Sequence, residues 1–273
     1  MKELSAISHK LKAKKSLGQN FLHDESIIKG IFEIANVEAS DWVLEVGPGT
    51  GALTFRLSDQ VEKLLAIELD HTLVERLTAH FVDSESVSIL EGNILDLHLE
   101  EVLRSAGFAE HPYKVIANIP YYITAPIIRT LLSLRIQPES LTLMVQDEVA
   151  ERLSAKPGSM SLLSVMAQYY ATVEKRLFVP KAAFDPVPKV DSAVVHIIPR
   201  RPFDHEADRK VFRLARAGFA ARRKTLVNNL STSFSVDRSV VEGYLVTLGL
   251  RSDIRAQALS VLDWERLTVL WGE

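Results

Sequence analysis

The stretch Val43-Leu44-Glu45-Val46-Gly47-Pro48-Gly49-Thr50-Gly51-Ala52-Leu53-Thr54 decides the fold. Val43 to Val46 is apolar apart from Glu45 and does not alternate, as expected of a parallel strand covered on both faces. The glycines permit a tight turn, and Leu53 opens a helical spacing of apolar residues that runs to Leu57. Strand, glycine turn and helix in that order begin a βαβ unit whose helix-start amides can approach a ligand closely.

Outward from this unit the same alternation continues. Strands are expected at Trp42–Val46, Leu64–Glu68, Val87–Leu90, Lys114–Ala117, Leu141–Val145 and Ala193–Ile198. Helical spacing is seen at Leu53–Leu57, Leu73–His80 and Ile127–Leu134. The region from about Asp41 to Pro199 therefore predicts a doubly wound α/β sheet. Before it, Ile27, Ile28, Ile31, Phe32 and Ala35 fall on one helical face behind an Asp24 cap, a helix that should pack onto the sheet. After Pro199 the β signal stops. Phe212–Leu230, Val240–Leu248 and Trp264–Leu270 read as helices, so a small all-helical domain is expected over 200–273 beside a catalytic domain over 1–199.

Composition bounds the chemistry. The 273 residues carry no cysteine, which excludes disulfides, zinc-thiolate clusters and a cysteine nucleophile. No apolar run approaches the ~18 residues of a membrane span, so a cytoplasmic protein without a membrane partner is expected. A net charge of −3 argues against indiscriminate coating of nucleic acid. Two runs depart from that average. Lys10, Lys12, Lys14 and Lys15 form one; Arg200, Arg201, Arg209, Lys210, Arg213, Arg216, Arg222, Arg223 and Lys224 form the other, and both are candidate phosphate-binding faces.

Glu68, at the end of the next strand, is placed to accept hydrogen bonds from ribose hydroxyls, so loop and acid together describe a site for a nucleoside-bearing cofactor. Gly47-x-Gly49-x-x-Ala52 also satisfies the dinucleotide fingerprint, and these residues alone leave nicotinamide, flavin and methyl donor open. Asn93, after the third strand, could meet the adenine ring of either cofactor or serve only as a turn residue.

Ala117-Asn118-Ile119-Pro120-Tyr121-Tyr122 ends the fourth strand, where open α/β sheets place ligands. An adenine amine is a poor nucleophile because its lone pair is delocalised into the ring. Two acceptors that hold both amine hydrogens localise that pair, and the Asn118 side-chain oxygen with a backbone carbonyl at Ile119 or Pro120 can supply them. Pro120 stiffens the turn and Tyr121 can stack on the base. Positioning worth an effective molarity of roughly 10⁵ M suffices for displacement at an activated methyl group, without a strong general base.

With these motifs the chain closely resembles the bacterial 16S ribosomal RNA adenine dimethyltransferases, relatives of the erythromycin-resistance 23S methylases. Lys15-Ser16-Leu17-Gly18-Gln19-Asn20-Phe21-Leu22 is similar to that family's N-terminal cofactor segment, Glu45–Gly51 to its methionine-side loop, Glu68 to its ribose acid and Asn118–Tyr121 to its catalytic motif. Phe184-Asp185-Pro186-Val187-Pro188-Lys189-Val190-Asp191-Ser192, Met144–Leu153 and Phe219–Leu230 match further signatures.

The resemblance implies a Rossmann-like class I methyltransferase sheet with a small C-terminal helical domain. It implies S-adenosyl-L-methionine as cofactor, contacted by Asn20, Leu22, Gly47, Gly49, Glu68, Asn93 and Asn118. Asn118, Pro120, Tyr121 and Phe184 become the catalytic set, with Tyr121 and Phe184 sandwiching the target adenine; Arg222, Arg223 and Lys224 become RNA contacts. The implied reaction is N6,N6-dimethylation of two adjacent adenosines near the 3′ end of 16S rRNA, on the immature 30S subunit, by a monomer without a metal. An assembly-checkpoint binding protein and a 23S rRNA methylase are the alternatives. Two departures are Asn93, where the family usually has aspartate, and a Lys156–Ser164 loop shorter than usual.

Overall fold

The computed structural model describes residues 13–14, 17–202 and 204–272, so Lys10, Lys12, Lys15 and Ser16 lie outside the described residues. A short strand, β1 (Phe21–Leu22), precedes helix α1 (Glu25–Ala35). The helix begins where the Asp24 carboxylate accepts from the Ser26 and Ile27 amides, and ends at Asn36 in the left-handed region, φ 48°. Its apolar face shares one core with Val43, Ile116, Met144 and Val194 of the sheet, as the spacing predicts.

There follow β2 (Trp42–Val46), α2 (Thr54–Leu57), β3 (Lys63–Glu68), α3 (His71–His80), β4 (Val87–Glu91), α4 (Leu99–Ser105), β5 (Tyr113–Asn118) and α5 (Thr124–Leu132). Next come β6 (Ser140–Gln146), α6 (Asp147–Leu153), α7 (Leu162–Tyr170), β7 (Ala171–Val179), β8 (Phe184–Asp185) and β9 (Ser192–Pro199). The central sheet runs β4-β3-β2-β5-β6-β9-β7. Strands β2 to β6 are parallel, and β9 lies antiparallel to β6. Each strand expected from the sequence is present to within a residue at either end.

Strand order reverses between β2 and β5, so their carboxyl ends flank the crevice where such sheets bind ligands. The register pairs Val46 with Ala117 and so brings Gly47 beside Asn118; the Asn118 carbonyl lies 3.8 Å from where a Gly47 Cβ would stand. Sequence alone did not indicate β7. Its middle is Glu174-Lys175-Arg176, charges that suit a sheet edge and conceal a strand from any search for apolar runs. Nor did it indicate the antiparallel pair β1 and β8, in which Leu22 faces Phe184.

The chain divides into two units, one reaching Ala150 and resuming over Val173–Pro199, the other comprising Glu151–Thr172 and the chain from Arg200. A single cut at residue 200 is thereby corrected. The helical unit contains α7 together with α8 (His205–Gly218), α9 (Leu226–Phe234), α10 (Arg238–Thr247) and α11 (Val261–Trp271). Tyr170 at the end of α7 donates to the buried Asp208 carboxylate at 2.7 Å, and the Tyr169 ring stands edge-on to Phe212 at 5.2 Å. These contacts are why 151–172 belongs with the helices.

One helix over Phe212–Leu230 is also corrected, since α8 and α9 are separate. Buried Asn229 donates to the carbonyls of Gly218 at 2.6 Å and Ala221 at 3.1 Å, and the Thr225 hydroxyl caps α9. A Cβ on Gly218 would stand 2.3 Å from the Trp264 ring, so the turn leaves the helix where only glycine fits. Arg222, Arg223 and Lys224 project from this turn, exposed.

Candidate functional site

One cavity at the carboxyl ends of β2 and β5 is bounded by residues 17–22, the glycine loop, Glu68, Asn93 and the turn from Asn118 to Ile123. Its loop is fixed by backbone bonds. Gly47 N donates to the Ile67 carbonyl and Gly51 N to that of Pro48, each at 2.9 Å. Gly49 adopts φ 60° and Gly51 φ 90°; a Cβ on Gly51 would stand 2.5 Å from the Phe55 ring, so both shape and space demand glycine there.

Glu68 is bound more heavily than a ribose acceptor need be. Its Oε2 accepts from Gly49 N at 2.9 Å, and its Oε1 accepts from Leu69 N and Asp70 N at 2.8 and 2.9 Å. Burial raises its pKa against these three amides, which favour the charged form. The carboxylate thus staples the loop and keeps one lone pair on Oε2 for another donor. Glu45 is 1% exposed on the same wall, with Oε2 unpartnered; burial pushes its carboxyl up to about 8, and the Glu68 charge adds to the shift.

Residues 17–22 close the opposite side. Asn20 and Leu22 both line the cavity, the first through a segment whose carbonyl meets Asn118, the second as a buried strand residue. The segment is latched at Asp70, a residue the sequence reading passed over. Asp70 caps α3 by accepting from Thr72 N, and also accepts from Lys14 Nζ at 2.6 Å and Gln19 Nε2 at 2.8 Å. Burial alone would raise its pKa; the bonds from Lys14 and Gln19, with the Lys14 charge, bring the net shift below the ordinary value. The Phe21 ring packs over Gly49, 3.3 Å from where a Cβ would be.

Asn118 ends β5 with its side-chain nitrogen donating to the Asn20 carbonyl at 3.4 Å, which leaves the side-chain oxygen for an acceptor role. The Pro120 carbonyl accepts from Ile123 N at 3.2 Å and from the Thr124 hydroxyl at 3.5 Å. Among the described residues nothing donates to the Ile119 carbonyl. Tyr121 lines the cavity, and its hydroxyl is 2.6 Å from that of Ser192, the fully buried first residue of β9. Burial raises the Tyr121 pKa, so the phenol is neutral. Ser192 is a partner the sequence reading missed, although it closes the Phe184–Ser192 stretch.

Two expectations fare differently. Phe184 is 1% exposed within the core that holds Leu22 and Ile28, and it does not line the cavity. The alternation of β8 turns Phe184 inward and Asp185 outward, so the expected Tyr121–Phe184 sandwich is not present. Asn93 does reach the cavity, but its amide first builds a turn: the oxygen accepts from Leu95 N at 3.2 Å and the nitrogen donates to Asp96 at 2.7 Å. One N–H and one lone pair remain for another partner.

The basic residues separate by contact. Arg200 donates to the Gln168 carbonyl, and Arg201 pairs with Glu265 while lying over the Tyr169 ring, so both serve packing. Arg222, Arg223 and Lys224 remain exposed. Among the described residues no group of three or more His, Cys, Asp or Glu could hold a metal, and no helix is long and apolar enough to cross a membrane.

The model of the family described as ribosomal RNA adenine dimethylase matches residues 10–268. The chain belongs to that family. Ribosomal RNA small subunit methyltransferase A of Dehalococcoides mccartyi is 39% identical over 94% of this chain and 88% of its own length. Its namesake from Geobacter sulfurreducens is 41% identical over 94% and 95%. Among solved structures, a Plasmodium falciparum dimethyladenosine transferase superposes with TM-score 0.72 at 26% identity, covering 90% of this chain and 95% of the other. The 23S rRNA methyltransferase ErmE does so with TM-score 0.72 at 25% identity, covering 93% and 100%. Family membership selects the methyltransferase reading of the glycine loop over the dinucleotide one.

Proposed function

We propose that this dimethylase-family member transfers methyl groups from S-adenosyl-L-methionine to N6 of two adjacent adenosines in small-subunit ribosomal RNA, on the immature particle. The observation that carries the reading is Asn118. It stands at the carboxyl end of β5 with its amide nitrogen engaged by Asn20 and its oxygen available at the cavity.

The residues present fit the donor. The buried, unpartnered Glu45 oxygen suits a cationic or N–H-bearing group, the glycine loop admits close approach, and Glu68 and Asn93 each retain hydrogen-bonding capacity. Bound there, S-adenosyl-L-methionine supplies an electrophilic methyl group. The Asn118 side-chain oxygen and the Ile119 carbonyl then accept the two amine hydrogens and localise the nitrogen lone pair; the Pro120 carbonyl is already taken by its own turn. Tyr121, held by Ser192, offers its ring to the base. The proton released after attack passes to solvent, so no strongly basic side chain is required.

Arg222, Arg223 and Lys224 supply phosphate contacts. Identity near 40% to small-subunit enzymes, against 25% to a 23S enzyme, favours the small-subunit target. The test is mass spectrometry of adenosine from both ribosomal RNAs after incubation of immature subunits with labelled donor. Dimethyladenosine in small-subunit RNA is expected, and its absence refutes the reading. An assembly-only role predicts that Asn118→Ala binds particles undiminished and still restores assembly; the catalytic reading predicts binding without methylation.

A further inference from the structure

The helical unit contains a second cavity, of about 330 Å³, walled by Arg209, Lys210, Arg213 and Leu214 of α8, Phe234 at the end of α9, and Trp271 of α11. Its floor is aromatic. The Phe234 and Trp271 rings are 4.9 Å apart, Tyr244 extends the cluster 5.6 Å beyond Trp271, and the Arg213 guanidinium lies 5.0 Å over the Phe234 ring. Its rim is cationic. Among the described residues the single acid on it, Glu206, is strongly exposed and reaches Lys210 only at 3.6 Å, leaving a net positive edge. Aromatic faces for stacking beneath cations for a phosphate are the combination by which proteins hold unpaired nucleotides. A volume near the lower end of ligand sites admits one base with its sugar phosphate and excludes a duplex.

We propose that this cavity is a nucleotide site that takes one unpaired, phosphate-bearing nucleotide of an RNA strand, its base on Trp271 and Phe234 and its phosphate on Arg209 and Lys210. It lies among residues distinct from the Asn118 cavity and from the Arg222–Lys224 turn. The proposal relies on the RNA-substrate reading for the source of the nucleotide; the recognition itself rests on the cavity.

Fluorescence anisotropy of the full chain with a labelled single-stranded ten-nucleotide RNA tests it. Arg209→Ala/Lys210→Ala changes only exposed side chains and should weaken binding about 10-fold, while flattening the salt dependence by about one counterion. Trp271→Leu should weaken binding about 10-fold with the salt dependence unchanged. Both cavity variants should bind S-adenosyl-L-methionine within twofold of the parent by calorimetry, since neither alters a residue of the first cavity, so failure of the donor-site reading remains distinguishable from failure of this one. Affinity within twofold of the parent in both cavity variants overturns the proposal. Three competitions also overturn it: polyphosphate displacing RNA as well as RNA itself does, which leaves only a charged face; an acidic peptide doing so, which indicates a protein partner; or adenosine 5′-monophosphate binding that RNA cannot displace, which indicates a free nucleotide.

Discussion

Glu45→Gln should stabilise the protein, and by an amount that grows with pH. The buried carboxyl titrates near 8 against 4.5 unperturbed. Between those values the folded chain keeps a proton that the unfolded chain has lost, so stability falls as pH rises, by about 1.4 kcal/mol per unit. The contribution of this group is complete below pH 4.5 and lost through pH 8. Worked from the shift, the loss is about 3 kcal/mol at pH 7 and about 5 kcal/mol above pH 8, as upper values. Glutamine matches the shape, carries no proton to lose, and can donate where the acid's O–H would. Urea unfolding of both proteins at pH 5, 7 and 8.5 measures the difference. The gap should be below ~1 kcal/mol at pH 5 and widen steadily. Parallel stability curves across that range would show that Glu45 ionises normally and that its burial is relieved in solution.

Gly51→Ala places a Cβ against Phe55 at φ 90° and should cost about 2–4 kcal/mol, read as a lowered melting temperature; unchanged melting would mean that the loop relaxes. Asp70→Asn keeps the α3 cap but loses the charge that holds Lys14, whose side chain is half exposed, so the effect is about 1 kcal/mol, or about 5-fold in KM for the methyl donor, with kcat unaltered. A fall in kcat alone would contradict a latch. Tyr121→Phe strands the buried Ser192 hydroxyl and should destabilise by about 1–3 kcal/mol; adding Ser192→Ala should recover part of that, and strict additivity would deny the bond.

Much of this was legible in the sequence because the relevant signals are local. The strand before Gly47, the Asp24 cap and the Asn118 turn each declare themselves within a dozen residues. What escaped depends on partners distant in the chain. Strand β7 is charged because it is an edge, and nothing in Glu174-Lys175-Arg176 says which sheet it borders. Asp70 reads as one more helix cap until Lys14 and Gln19 arrive beside it. Phe184 looks like an exposed aromatic in a proline-rich loop, yet pairing of its backbone with Leu22 commits the ring to the core. The break in the long C-terminal helix follows from Asn229 reaching back to Gly218, which helical periodicity cannot express.

The bond from Asn118 to Asn20 joins residues 98 positions apart, and Leu22 in turn pairs with Phe184. Neither roof nor wall of the first cavity therefore survives once the chain unfolds. A ligand seated there has no counterpart to bind in the denatured ensemble, and at 100 times its dissociation constant it should raise the unfolding free energy by about 2.7 kcal/mol. Under the proposed function that ligand is the methyl donor, so proteolysis of the purified protein should slow as donor is added.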